Sequence, residues 1–148
     1  KFTGGRFQLQ FSIHTTDEAK RDELIPVKKW NLDKIAEFGS RFYTKGDRKI
    51  TLSFAPSREN PIDTGVISSI FDPEIFLIKL TSLNRTQNAL KNELTPLIEH
   101  DPAGGTDPAL SLLASSFAEK GFEVLLIPGN SEEIIIGSTC GQNLITTG

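Results

Sequence analysis

Methionine is absent from the 148 residues, and cysteine occurs once, at Cys140. A single cysteine cannot build an internal disulfide framework, so nothing in the chain asks for an oxidising compartment. One cysteine and two distant histidines, His14 and His100, also match no metal-ligand spacing. No apolar run reaches the roughly 18 residues of a membrane-spanning helix. Nothing near Lys1 has the basic-then-apolar pattern of a signal peptide. A cytoplasmic protein with no membrane partner is therefore expected. The net charge of −3 argues against a protein whose main task is to coat nucleic acid. No segment is biased enough to be disordered or collagenous, and no linker divides the chain, so residues 1–148 read as one domain. The lack of methionine in a chain that starts at Lys1 fits an excised piece of a longer protein. It fits equally a chain whose methionines were carried as a modified residue.

What is present is periodicity. Phe7, Leu9, Phe11 and Ile13 alternate with Gln8, Gln10, Ser12 and His14, the period of a strand with one greasy and one polar face. Thr15 with Glu18 has capping-box spacing, which predicts a short helix through Arg21, broken by Pro26. Asn31 is a fair N-cap for a second helix, with Leu32, Ile35, Phe38 and Phe42 at helical spacing and Lys45-Gly46-Asp47 at its end. Ile50 to Phe54 alternates again as a second strand. Asp63 or Thr64 is expected to cap a helix carrying Val66, Ile67, Ile70 and Phe71. Ile75 to Leu80 is nearly all apolar and suits a strand covered on both faces. Residues 95 to 107 read as a loop. Pro108 then opens a helix with Leu110, Leu113, Ala114 and Phe117 on one stripe, ending at Lys120-Gly121. Phe122 to Ile127 is the fourth strand. Alternation of strands and helices predicts βαβ units and a mostly parallel α/β sheet with helices outside. Polar side chains on the first two strands would be costly to bury in a sheet covered on both faces. They suit the lumen of a barrel or partial barrel. A complete (β/α)8 barrel takes about 250 residues, so part of one is expected.

Four residues could carry chemistry. Ser12 and His14 are expected to share a side at the C-terminal end of the first strand, where parallel α/β folds bind ligands. They are either a ligand-facing pair or a hydrogen-bonded strand end. Asn84 ends the third strand, as a turn residue or as an amide that both donates and accepts. Cys140, in Thr139-Cys140-Gly141-Gln142, is either a small buried hydrophobe or a nucleophile. No Asn or Asp is placed to orient His14 as its base. The basic clusters Lys28-Lys29 and Lys45 with Arg48-Lys49 read as solvated faces, and the segment Arg58, Glu59, Asn60 and Asp63 as a loop.

In order, these segments resemble the C-terminal half of the radical S-adenosylmethionine (SAM) adenine methyltransferases of the RlmN/Cfr type, which modify ribosomal RNA. Phe11-Ser12-Ile13-His14 resembles that family's Ile-Ser-Leu-His, and Arg21 to Pro26 its Arg…Ile/Val-Pro segment. Ile50-Thr51-Leu52 parallels its Val-Thr strand. Asn84 falls where a strand-end Asn stands, Gly121 to Leu126 is similar to its Gly-x-x-Val strand, and Cys140-Gly141-Gln142 to its terminal Cys-Gly-Gln. The likeness covers nearly the whole chain.

The resemblance implies a partial (β/α)6 barrel in which Ser12, His14 and Asn84 line the lumen and contact SAM, and Cys140 accepts a methyl group. A second SAM, cleaved at a 4Fe–4S cluster, then drives methylation of an adenine carbon in ribosomal or transfer RNA. The family's CxxxCxxC cluster motif, its resolving cysteine and its N-terminal acidic catalytic residue are absent from the chain. Their ligands are expected upstream, so this fragment alone is expected to be inactive. Leu83-Asn84-Arg85 stands where the family has Trp-Asn-Pro, residues 56 to 63 lack its Asp-Gly-Val-Asn, and residues 85 to 107 align poorly. A divergent radical SAM enzyme with another substrate, a non-catalytic α/β binding or interaction module, and a hydrolase using Cys140 are the other readings. A cut barrel leaves an open strand edge, through which the isolated chain is expected to dimerise.

Overall fold

The computed structural model describes residues 7–81 and 108–127. Their order is β1 (Gln10–Ser12), α1 (Glu18–Leu24), α2 (Leu32–Phe42), β2 (Ile50–Phe54), α3 (Thr64–Ile70), β3 (Phe76–Thr81), α4 (Pro108–Glu119) and β4 (Val124–Ile127). The four strands form one parallel sheet in the order β1-β2-β3-β4. Each connection therefore moves to the next strand in the same direction. Right-handed crossovers that never reverse direction carry their helices to one and the same face.

Packing follows that rule. Ile50, Leu52 and Phe54 of β2 and Phe76, Ile78 and Leu80 of β3 are at most 1% exposed and point to a single side. On that side they meet Leu32, Ile35 and Ala36 of α2, Ile67 of α3, and Leu110 and Phe117 of α4 in one continuous core. Each fully buried Leu, Ile or Phe adds about 1.5–3 kcal/mol of transfer free energy. The rings are interlocked. Phe71 meets Phe76 edge-on at 4.9 Å, and Phe117 meets Phe122 edge-on at 6.0 Å. This geometry suits the ring quadrupole.

Local chemistry sets the ends of the elements. Asn31 caps α2 by accepting from the Lys34 N–H at 3.0 Å, as its position suggests. Asp63 caps α3, accepting from Gly65 N–H and Val66 N–H. Pro108 is the first residue of α4, where a missing N–H costs nothing. Gly121, at φ +88°, ends the turn after that helix. The cap of α1 differs from expectation. Asp17, rather than Thr15, accepts from Ala19 N–H and Lys20 N–H. Glu18 instead accepts from the Leu32 N–H at 3.2 Å and pairs with Arg21, tying α1 to the start of α2. Strand β1 is also shorter than the alternating run. It holds its ladder from Gln10 to Ser12, and the chain turns at His14.

The opposite face of the sheet carries Gln10 and Ser12 of β1, Thr51 and Ser53 of β2, and Lys79 and Thr81 of β3. Leu77 of β3 stands among them, Leu125 and Ile127 of β4 continue the face, and Thr51, Ser53 and Leu77 at its centre are at most 8% exposed. The registers Ser12↔Ser53, Ser53↔Lys79 and Lys79↔Leu125 put these groups in a straight row across four strands.

Candidate functional site

The chain departs from regular structure at the C-terminal end of β1. Ile13 N–H still donates to the Ser53 carbonyl at 2.8 Å, so β1 stays beside β2 for one residue past its last ladder pair. Thr15 N–H then turns back to the Ile13 carbonyl at 2.9 Å, closing a three-residue turn around His14. His14 sits at φ +67°, the only positive φ outside glycine among the described residues. That is the rarer, strained hand of the γ-turn. A non-glycine residue held there costs on the order of 1–3 kcal/mol, which the surrounding structure must offset.

Neighbouring contacts do so. Thr15, fully buried, donates through Oγ1 to the Pro61 carbonyl at 2.7 Å and accepts from Asp17 N–H at 3.2 Å. Thr16 N–H donates to the same carbonyl, and Thr16 Oγ1 accepts from Asp63 N–H at 2.9 Å. Lys20 Nζ donates to the Glu59 carbonyl. The β1–α1 and β2–α3 loops are thus clipped together at the strand ends, and His14 is held between them.

Electrostatics then set the state of His14. Burial, followed by the positive charge of the Arg21 guanidinium, lowers its pKa below the ordinary histidine value. It is kept as a neutral imidazole near neutral pH, and its ring makes no hydrogen bond among the described residues. Arg21 is 2% exposed. Its Nη1 donates to the Trp30 carbonyl at 2.6 Å and lies 3.4 Å from Glu18 Oε2, while its Nε has no partner among the described residues. It belongs to the wall of a cavity of about 410 Å³, shared with Phe11, Ser12, Ile25, Lys28 and Trp30 at the outer edge of β1. A second cavity of about 380 Å³ lies against the β2–α3 loop, with Ser57, Arg58, Asn60 and Ala109 in its wall. Asn60 Nδ2 donates to Ser57 Oγ at 3.0 Å in that wall.

Of the residues proposed from sequence, Ser12 is exposed on the polar face at the end of β1. His14 lies one turn beyond it, toward Arg21, because its left-handed backbone ends the alternation that was to place it beside Ser12. Asn84 and Cys140 lie outside the described residues, so their convergence with the other two is not part of this geometry. Arg21, Ser53 and Lys79 were not singled out by the sequence. Alternation alone could have found Ser53 and Lys79, which stand, with Thr51 and Thr81, at the polar positions of two strands whose alternate members are apolar. Nothing in the sequence marks Arg21 as the charge beside His14.

Among the described residues no group of three or more His, Cys, Asp and Glu side chains could hold a metal ion, and no helix there is long and apolar enough to cross a membrane. No family model, curated protein or solved structure matches the chain.

Proposed function

We propose that the chain is part of a radical SAM RNA adenine methyltransferase, supplying later strands of a partial (β/α) barrel and the methyl-carrying Cys140. One observation carries the reading. The sheet runs in sequence order with its core helices on one face, and its other face is polar where it reaches the strand ends at Ser12 and the strained His14. A doubly wound sheet reverses direction and buries both faces. A barrel segment keeps one direction, carries its helices on one face only, and turns the other toward an interior whose ligands bind at the C-terminal ends of the strands. The ordered motif matches from Phe11 to Gln142 supply the family.

In this reading Ser12, His14 and Asn84 contact SAM in the cytoplasm, where the substrate RNA is. Exposed Ser12 and a neutral His14 suit that task, one as a hydroxyl donor and acceptor, the other as an uncharged ring beside a sulfonium. Bound SAM would supply the methyl group, and the Cys140 thiolate would take it as the sulfonium S–CH3 bond breaks and S-adenosylhomocysteine leaves. The 4Fe–4S cluster does not fit the residues of this chain. It is held by several cysteine thiolates, and the chain has one cysteine. Its ligands would come from elsewhere in the polypeptide.

Mass spectrometry of the full-length gene product, purified from cells fed methyl-labelled methionine, tests the reading. A labelled methyl group on the Cys140 peptide is expected. An unmodified Cys140 peptide, in protein shown to carry its cluster, refutes it.

A further inference from the structure

Across the middle of the polar face, three side chains from adjacent strands stand in one row. Ser12 is paired in register with Ser53, and Ser53 with Lys79. Adjacent strands lie about 4.8 Å apart, so the row spans about 10 Å, within the reach of one lysine side chain and two hydroxyls around a small group. Two of the polar groups flanking the row, Thr51 and Thr81, are committed. Thr51 Oγ1 accepts from Gln8 Nε2 at 3.0 Å, and Thr81 Oγ1 donates to the Phe54 carbonyl at 3.2 Å. Ser12, Ser53 and Lys79 make no side-chain hydrogen bond or ion pair among the described residues. Lys79 is half-buried, and none of the residues that the four strands place on this face is Asp or Glu. An ammonium with no carboxylate on its own face of the sheet can take an anion as its partner.

We propose that Ser12, Ser53 and Lys79 form an oxyanion site for the phosphate of a nucleotide. The ammonium supplies the charge as a point donor, and the two hydroxyls donate beside it. Three donor groups match the three acceptor oxygens of a terminal phosphate, where a carboxylate offers two. The site itself rests on register and charge. That the phosphate belongs to an adenine nucleotide rests on the function proposed above, in which Ser12 also faces the cofactor, so the phosphate binds next to it.

Calorimetric titration of the chain with adenosine 5′-monophosphate, adenosine, inorganic phosphate and S-adenosylhomocysteine tests the site. The monophosphate is expected to bind at least about tenfold more tightly than adenosine, the range of one charge-assisted hydrogen bond. Lys79→Gln, folded by circular dichroism, removes that preference, Ser53→Ala reduces it, and added salt weakens it. Competition by inorganic phosphate that is lost in Lys79→Gln also supports the site, with free phosphate as its ligand. Equal affinity for monophosphate and adenosine, a preference that survives Lys79→Gln, or no binding of either phosphate at millimolar concentration overturns it. Binding of S-adenosylhomocysteine without any phosphate preference overturns the site and leaves the methyltransferase reading standing. A Lys79-dependent phosphate preference without S-adenosylhomocysteine binding supports the site and tells against that reading.

Discussion

At Gly39 helix α2 presses directly on the sheet that presents the polar face. A Cβ added there would lie 2.3 Å from Phe76 Cζ, 2.7 Å from Phe76 Cε1 and 3.1 Å from Ile50 Cδ1. Carbon atoms in contact prefer about 3.5–4.0 Å, so more than about 1 Å of movement is needed. The ring cannot give cheaply. Phe76 is fully buried and locked edge-on against Phe71 at 4.9 Å. Overpacking of this kind costs about 1–3 kcal/mol, and the depth of the overlap puts Gly39→Ala near the top of that range. Alanine recovers about 1 kcal/mol of helix propensity. The net expectation is a loss of about 2 kcal/mol. In urea, with a slope of about 1–3 kcal/mol per molar, the unfolding midpoint falls by about 1 M. Ser40→Ala, one residue on and exposed, makes a smaller gain in helix propensity without the overlap and leaves the midpoint unchanged or slightly raised. A Gly39→Ala protein as stable as the wild type would refute the close packing of α2 on β2 and β3.

Two further predictions concern the strand-end loops. The folded-state pKa of His14 lies below that of the unfolded chain. As pH falls below about 6.5 the unfolded state takes up a proton that the folded state still refuses, so stability declines with falling pH across that window. His14→Asn, which tolerates positive φ, removes this dependence, and urea midpoints for the two proteins that run parallel across the same pH range would contradict it. Thr15→Val deletes the bond to the Pro61 carbonyl and the acceptor for Asp17 N–H at a fully buried position. It is expected to cost about 1–3 kcal/mol and to speed hydrogen exchange at the Asp17 amide. Unchanged exchange there would show that the two loops are not held by this clip.

Much of the fold was legible because the signals are local. Asn31 and Asp63 cap their helices from their own side-chain oxygens, and Pro108 opens α4 because a missing N–H is harmless there. The cap of α1 departs from its local signal for a reason that is not local. Glu18 has the capping-box spacing to Thr15, yet Thr15 is drawn to Pro61, 46 residues away, and Glu18 to Leu32 and Arg21. Each side chain found a partner that no window of a dozen residues contains. The same holds for the site. Ser12 lies where alternation puts it, whereas His14 left the strand because the two loops meeting at Pro61 hold the turn around it.

Hydrophobic periodicity by itself determined that strands and helices alternate, which residues face the core, and hence that the sheet is parallel α/β. Those properties follow from side-chain period and from the handedness of crossovers, both carried by the local chain. Only the tertiary structure decided that each strand pairs with its successor without reversal, and that Ser12, Ser53 and Lys79 share a row. It also set the guanidinium of Arg21 beside His14. Register and loop contacts join residues tens of positions apart, and they are selected by how whole surfaces fit once the core has formed.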